Sequence, residues 1–274
     1  MQIPRFFIQP EQIDEGVSTA RIEDAALVHQ IGRVLRLGVG ARVILLNGEG
    51  SLFHCRIERQ EKGSIELVIE QKETELGGNF SELTVAMPLI KPARFEWALE
   101  KLTELGATTI IPLVTQRTVQ KPADFEDGKK KNGKGRNVKK ERWDSIVREA
   151  AEQSERFAIP KVVAPQNFSN YLEELRRDRL KDDHLADLQY IFAERNECLH
   201  LSMHLFKETG AGGIAKNISL LFGPEGGFTD DELSLAAEAN LTFASLGKLI
   251  LRSETAAVAA AAIVNAMRDL KNID

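Results

Sequence analysis

The chain has 274 residues, a net charge of −5 and a pI of about 5.7, with 43% hydrophobic and 28% charged residues. This balance is typical of a globular protein of one or two domains and excludes a chain that coats nucleic acid with its whole surface. The sequence has no apolar stretch long enough for a membrane span, no signal-peptide core and two cysteines. We therefore expect a cytoplasmic protein without a membrane anchor or a disulfide framework.

The first 73 residues predict a small β-barrel with one helix. Short apolar stretches alternate with turn signals such as Asn47-Gly48, and strands are expected at 5–8, 42–46, 52–57 and 65–69. Apolar residues at helical spacing predict a helix at about 24–36. A polar stretch that contains Gly77-Gly78 predicts a linker at 74–82, which separates domain 1–73 from domain 83–274.

From residue 83 onward, predicted strands and helices alternate, which is the pattern of an α/β domain. Strands are expected at 83–89, 108–114, 161–164, 190–193, 220–222 and 243–246. Helices are expected at 95–105, 139–155, 168–177, 197–208, after Thr229 and at 254–269, with Gly106 ending the first of them. This order predicts a parallel sheet with helices on both faces.

Two glycine-containing junctions, FGPEGGF at 222–228 and SLGKLILR at 245–252, each follow a predicted strand and precede a predicted helix. Glycines let the main chain approach a ligand closely, and Thr229 with Glu232 forms a T-x-x-E capping box at the start of the next helix. Because parallel strands end at the same edge of a sheet, the two junctions predict one ligand crevice.

The motifs of several other site classes are absent from the sequence. It contains no G-x-G-x-x-G, no G-x-x-x-x-G-K-[ST] and no G-x-S-x-G, which disfavours dinucleotide, P-loop and nucleophile-elbow sites. Cys198, His200 and His204 have a spacing that metal ligands also use. A fourth ligand is missing near them, so we expect no metal.

Two charged features each allow two interpretations. Residues 128–142 hold eight Lys or Arg and one acid, and they are either a solvated loop, an arm that contacts phosphates, or both. Arg252 either forms an ion pair with Glu225 or Glu254 or presents a planar cation to a substrate. Similarly, the alanine-rich helix at 254–269 predicts close packing, either on its own sheet or on a second subunit.

Six segments together resemble one family. They are PRFF at 4–7, HQIGRVLRLGVGARVILLNGEG at 29–50, EKLTELGATTIIPLVTQRTV at 100–119, REAAEQSER at 148–156, FGPEGGFTDDE at 222–232 and LGKLILRSETA at 246–256. The chain resembles the RsmE-type methyltransferases of small-subunit ribosomal RNA, which belong to the knotted α/β, or SPOUT, class. The last two segments are the most specific. Leu249 departs from the family, which often has a basic residue there, and the basic loop is longer than usual.

The resemblance implies a PUA-like N-terminal β-barrel that binds RNA and a C-terminal α/β trefoil-knot methyltransferase domain. It implies S-adenosyl-L-methionine as the cofactor and N3-methyluridine in 16S rRNA, within the small ribosomal subunit, as the product. It also implies a homodimer with sites at the subunit interface. Competing hypotheses are a ribose 2′-O methyltransferase on the same scaffold, a non-enzymatic ribosome assembly factor and a nucleotide-binding metabolic enzyme.

The resemblance also implies roles for individual residues. Arg252 would stabilise the anion that develops on the uridine, and the base would be Glu225, Glu254 or water. Cofactor contacts are expected from Leu221, Phe222, Gly223, Pro224, Glu225, Gly226, Leu246, Gly247, Ile250, Leu251 and Thr255. RNA contacts are expected from Arg5, Arg33, Arg36, Arg117, Lys134 and Arg136.

Overall fold

A computed structural model describes residues 3–74, 82–120, 138–181, 188–193, 198–209 and 217–269. The chain divides into two compact units. Unit 1 consists of Met1–Gly78 and Ala151–Ile159, and unit 2 consists of Asn79–Ala150 and Pro160–Asp274. The domain boundary at 74–82 stays a prediction, since residues 75–81 lie outside the described residues. Nothing in the sequence pattern indicated that 151–159 belongs to unit 1.

Unit 1 contains a six-stranded sheet. Its strands are β1 (Arg5–Phe7), β2 (Ile13–Asp14), β3 (Thr19–Ile22), β4 (Arg42–Leu46), β5 (Ser51–Glu61) and β6 (Ser64–Thr74), in the order β1-β4-β5-β6-β3-β2. β1 is parallel to β4, and the other pairs are antiparallel. The predicted helix is a short α1 (Ala25–His29) that continues as a π-helix over Gln30–Val34. The sequence did not predict β2 and β3, because strands of two to four residues are too short to show an alternating pattern.

The segment 151–159 completes the packing of unit 1. Ala151, Phe157 and Ile159 pack against a buried cluster of Phe7, Ile44, Leu46 and Leu52. Two polar contacts join the same segment to β1: the Phe7 N–H donates to Glu152 Oε1 at 3.0 Å, and Arg5 Nη2 lies 2.7 Å from Glu155 Oε2. The sheet therefore depends on residues that are distant in the chain.

Unit 2 contains a parallel seven-stranded sheet. Its strands are β7 (Glu82–Pro88), β8 (Thr109–Val114), β9 (Lys161–Val162), β10 (Gln166–Asn167), β11 (Leu188–Phe192), β12 (Asn217–Phe222) and β13 (Thr242–Phe243). The order is β10-β8-β7-β12-β11-β13, with β9 beside β8, and every pairing is parallel as predicted. The last strand ends at Phe243 rather than at residue 246, because the chain there turns into the second glycine junction.

Six helices of unit 2 accompany this sheet within the described residues. They are α2 (Pro92–Glu104), α3 (Val138–Gln153), α4 (Phe168–Lys181), α5 (Leu201–Thr209), α6 (Asp230–Glu238) and α7 (Ser253–Asp269). The predicted cap after α2 is present, since Gly106 has a φ of 84°. The alanine-rich α7 contacts β7, β12, α2 and α5, with Ala257, Ala260 and Ala261 buried. None of the helices in the described part of the chain is long and apolar enough to cross a membrane.

Candidate functional site

Both glycine junctions lie where the sequence analysis expects them, directly after strands of the parallel sheet. The first junction (residues 223–229) follows β12, and the second junction (residues 244–252) follows β13 and leads into α7. β12 is hydrogen-bonded to β7, and β7 to β8. Because parallel strands end at one edge, the segments that follow β7 and β8 reach the same region as the first junction.

A single buried carboxylate fixes the first junction. The predicted capping box is confirmed: Thr229 Oγ1 accepts from the Glu232 N–H at 3.3 Å, and Glu232 Oε2 accepts from the Thr229 N–H at 2.9 Å. Glu232 is only 3% exposed, and its other oxygen, Oε1, accepts from the Gln116 N–H at 2.8 Å. Glu232 therefore joins the segment after β8 to the segment after β12.

Arg117 strengthens the same connection. Its Nη1 donates to the carbonyl oxygens of Gly226 at 2.8 Å and Phe228 at 3.3 Å. Within the turn, the Gly227 N–H donates to the Pro224 carbonyl at 2.8 Å, and Gly227 has a φ of 69°, which favours glycine. The sequence analysis expected Arg117 to contact RNA. In the structure Arg117 is exposed and its guanidinium contacts the main chain of the first junction, and the RNA contact stays a prediction.

The start of α7 is attached to the first junction as well. Ser253 is buried, and its Oγ donates to the Gly223 carbonyl at 2.6 Å. Gly223 has little space around it, since an added Cβ would lie 3.0 Å from the Phe228 ring. The Ser253–Gly223 hydrogen bond and the contacts of Glu232 thus hold together three segments at one edge of the sheet: the first junction, the start of α7 and the segment after β8.

The second junction exposes apolar side chains. Ser245 Oγ accepts from the Gly247 N–H at 3.0 Å, and Gly247 has a φ of 115°. Beyond it, Leu249 is 81% exposed and Ile250 is 65% exposed, which is unusual for such large aliphatic side chains. This arrangement offers a ligand both main-chain groups and an apolar wall.

The predicted cofactor residues divide into two groups. Leu221, Phe222 and Pro224 are buried, and the Phe222 ring stacks on Phe192 at 4.7 Å, so these positions could reach a ligand only through main-chain atoms. The others are at least partly accessible: Gly223, Glu225, Gly226, Leu246, Gly247, Ile250, Leu251 and Thr255.

An arginine that the sequence analysis did not single out joins two of the predicted catalytic residues. Arg94, in the first turn of α2, places Nη1 3.5 Å from Glu225 Oε1 and Nε 3.7 Å from Glu254 Oε1. Glu254 is 6% exposed, and its Oε2 is buried without a hydrogen-bond partner among the described residues. No local pattern marks Arg94, because Glu225 is 131 residues away.

Arg252 does not form the ion pair that the sequence analysis considered for it. Arg94 interacts with both carboxylates, whereas Arg252 is exposed and has no ion pair within the part of the chain that the structure describes. Its carbonyl accepts from the Ala256 N–H at 2.8 Å, which places Arg252 directly before the first turn of α7. The guanidinium is therefore accessible to a substrate.

The remaining predicted RNA contacts differ in accessibility. Arg5 is mostly buried in its ion pair with Glu155, which leaves its guanidinium little freedom to contact RNA. Arg33 and Arg36 are exposed on unit 1. Lys134 and Arg136, with most of the basic stretch 128–142, lie outside the described residues.

The histidines beside Cys198 have other partners. His200 Nδ1 lies 2.8 Å from Ser202 Oγ, and the His204 ring packs against Tyr190 with a centroid distance of 5.5 Å. Burial raises the pKa of the Cys198 thiol, which disfavours the thiolate form that metals bind.

Comparison with known proteins yields one consistent family. An RNA methyltransferase domain matches residues 78–265, and an RNA methyltransferase PUA domain matches residues 22–70. The chain is 35% identical to ribosomal RNA small subunit methyltransferase E of Synechocystis sp. over 96% of this chain and 77% of that protein. It is 28% identical to the Bacillus subtilis protein of the same name, over 97% of each chain.

A solved structure extends the likeness to three dimensions. Ribosomal RNA small subunit methyltransferase E from Neisseria gonorrhoeae, bound to S-adenosyl methionine, has a TM-score of 0.74 and 26% identity over 98% of each chain. These comparisons confirm the predicted combination of a PUA domain with an α/β RNA methyltransferase domain. The chain belongs to the ribosomal RNA small subunit methyltransferase E family.

Proposed function

We propose that this chain transfers a methyl group from S-adenosyl-L-methionine to N3 of a uridine in small-subunit (16S) ribosomal RNA, as a cytoplasmic homodimer. Relatives along nearly the whole chain carry the name of this enzyme class, and the Neisseria gonorrhoeae relative is bound to the methyl donor. The observation that carries the proposal is the set of segments around the first junction, joined through Glu232, Arg117 and Ser253.

The residues present fit the cofactor. Its adenine and ribose need main-chain donors and acceptors beside an apolar wall, which the two junctions and the exposed Ile250 supply. Its sulfonium carries a positive charge, and the buried Oε2 of Glu254 has no hydrogen-bond partner among the described residues. We assign main-chain contacts to Gly223, Gly226 and Gly247, and apolar contacts to Leu246, Ile250 and Leu251.

When bound, the cofactor supplies an electrophilic methyl group on a sulfonium, so the protein needs no covalent intermediate of its own. The joined loops align donor and acceptor, which is catalysis by positioning. Arg252, which has no ion pair among the described residues, would stabilise the negative charge that spreads onto O2 and O4 of the uridine as N3 loses its proton. The proton acceptor is Glu225, Glu254 or water.

We assign the RNA contacts of unit 1 to two exposed arginines, Arg33 and Arg36. On its strands, Arg56 pairs with Glu70 and Arg59 pairs with Glu66, so these charges are largely neutralised by neighbouring carboxylates. Arg33 and Arg36 have no ion pair among the described residues, and the exposed Val34 lies between them. This surface suits contact with phosphates and unstacked bases, and a target uridine must leave its stack to expose N3.

Exposed apolar side chains support the homodimer. Leu199, Met203 and Phe206 are all exposed in and just before α5, which packs against α7. Apolar surface of this kind is typical of subunit contacts. Light scattering should give the mass of two chains for the wild-type protein. If the Phe206→Asp variant has the mass of a single chain, α5 lies in the subunit contact.

The direct test is methylation of small ribosomal subunits and of naked RNA, followed by nucleoside mass spectrometry. N3-methyluridine supports the proposal, whereas a ribose-methylated product favours a 2′-O enzyme. Cofactor binding without methylation of either RNA favours an assembly factor. Arg252→Ala should lower turnover at least about a hundredfold with cofactor affinity nearly unchanged, the size seen for loss of one stabilising group. Normal turnover in that variant would remove Arg252 from the mechanism.

A further inference from the structure

Arg94, Glu225 and Glu254 form a charge cluster, the Arg94 triad, with one more negative charge than positive. One guanidinium lies within 3.7 Å of two carboxylates that come from different segments, the first junction and the start of α7. Arg252 is close in sequence but exposed, and neither carboxylate pairs with it among the described residues. One guanidinium against two carboxylates leaves the triad with a net negative charge, and Glu254 is its most buried member.

Glu254 is the least accessible member of the triad. Only its Oε1 faces Arg94, and its Oε2 is buried and lacks a hydrogen-bond partner in the described part of the chain. A buried carboxylate oxygen without a partner destabilises a fold, since the lost hydration is not replaced. Such an oxygen beside a ligand-binding loop indicates that a cationic group of the ligand completes its interactions.

We propose that Glu254 binds the positive charge of the methyl donor and that Arg94 is the positioning residue that holds its carboxylate. The proposal rests on the proposed function. S-adenosylmethionine carries a sulfonium, an ammonium and a carboxylate, a net charge of plus one. The demethylated product lacks the sulfonium and is neutral overall. Glu254 therefore favours the donor over the product, and product affinity falls as soon as the methyl group leaves.

The geometry of Arg94 suits positioning. Its Nε faces Glu254 and its Nη1 faces Glu225, so the planar fork contacts two carboxylates at once. A lysine ammonium has the charge but cannot address both carboxylates from fixed directions. Arg94 faces only Oε1 of Glu254, so the interactions of Oε2 stay incomplete among the described residues.

Calorimetry with three probes tests the proposal: the donor, the product, and the cationic analogue in which a carbon bearing an amino group replaces the sulfonium. Glu254→Gln should bind the donor and the cationic analogue about tenfold more weakly, the size expected for the loss of one charge–charge attraction. Its product affinity should change less than about twofold. Arg94→Gln should lower the donor-to-product preference in the same direction, and Arg94→Lys should restore part of it.

Arg176→Gln is the matched control. Arg176 lies 3.7 Å from Glu238, the same separation as Arg94 from Glu254, but on the exposed surface of α4 and α6. The Arg176→Gln variant should bind the donor, the product and the cationic analogue with unchanged affinity. Should Glu254→Gln fail to fold, Glu254→Asp retracts the carboxylate by one methylene and allows the same comparison.

Equal weakening of donor and product in Glu254→Gln, or no change in either, would overturn this inference and leave the proposed function intact. Donor binding by the wild-type protein without methylation of RNA would overturn the proposed function alone. No donor binding by the wild-type protein would overturn both.

Discussion

Glu232 offers the sharpest test of how the site is held together. Both of its carboxylate oxygens accept main-chain N–H groups, from Gln116 at 2.8 Å and from Thr229 at 2.9 Å, and the residue is almost fully buried. Glu232→Ala removes both acceptors and leaves two donors unsatisfied. We expect it to loosen the first junction from the segment after β8.

The magnitude follows from the two contacts. A hydrogen bond to a charged group contributes about 1.5–3 kcal/mol, and water can replace part of the bond at the exposed Gln116. We therefore expect Glu232→Ala to lower the free energy of unfolding by about 3 kcal/mol, a fall in Tm of about 6–12 °C for a unit of this size. Glu232→Gln keeps one acceptor oxygen and should lose about half as much.

Urea titration and thermal melts measure these losses, and calorimetry measures donor affinity in parallel. The matched control is Glu238→Gln on the same helix. The Glu238 side chain is exposed, so this substitution should change the free energy of unfolding by less than about 0.5 kcal/mol. A loss below about 1 kcal/mol in Glu232→Ala would refute the reasoning, as would an unchanged donor affinity in a clearly destabilised variant.

Three further predictions concern other parts of the molecule. Gly223→Ala forces a methyl group against the Phe228 ring at 3.0 Å, so thermal melts should show a loss of about 1–3 kcal/mol and calorimetry a weaker donor affinity. The double variant Arg33→Gln, Arg36→Gln should reduce the slope of log RNA affinity against log salt by about 1.4–1.8, whereas replacing the paired strand residues Arg56 and Arg59 should leave the slope unchanged. Burial raises the pKa of Tyr190 from 10.0 to about 12, so the unfolded chain loses this proton first as pH rises. The stabilisation that this pKa difference gives below about pH 10 is therefore lost as the pH rises towards 12. Urea titrations at pH 9 and 11 should show a smaller decline in the free energy of unfolding for Tyr190→Phe than for the wild-type protein.

Local chemistry made part of the site predictable. Thr229 and Glu232 stand three residues apart, so their capping box could be identified from the sequence and is present in the structure. The strand-to-helix alternation likewise gave the parallel sheet, because its central strands β7, β8, β11 and β12 are largely buried and mostly apolar.

Long-range pairing was not predictable. Arg94 and Glu225 are separated by 131 residues, and Arg5 and Glu155 by 150. A charged side chain has many candidate partners in the sequence, and only the fold decides which one it meets. For this reason the sequence could not show that Arg117 donates to the main chain of the first junction or that Arg5 pairs with Glu155.

The two-part composition of unit 1 also affects the order of events during synthesis. Phe7, Leu46 and Leu52 lie in the first part of unit 1, which ends at Gly78, whereas Ala151, Phe157 and Ile159, which cover them, follow only after residues 79–150, a gap of 72 residues. At elongation rates of about 5–20 residues per second, the nascent N-terminal sheet keeps this apolar surface uncovered for roughly 4–14 s. That interval is a window in which a chaperone could bind the nascent chain.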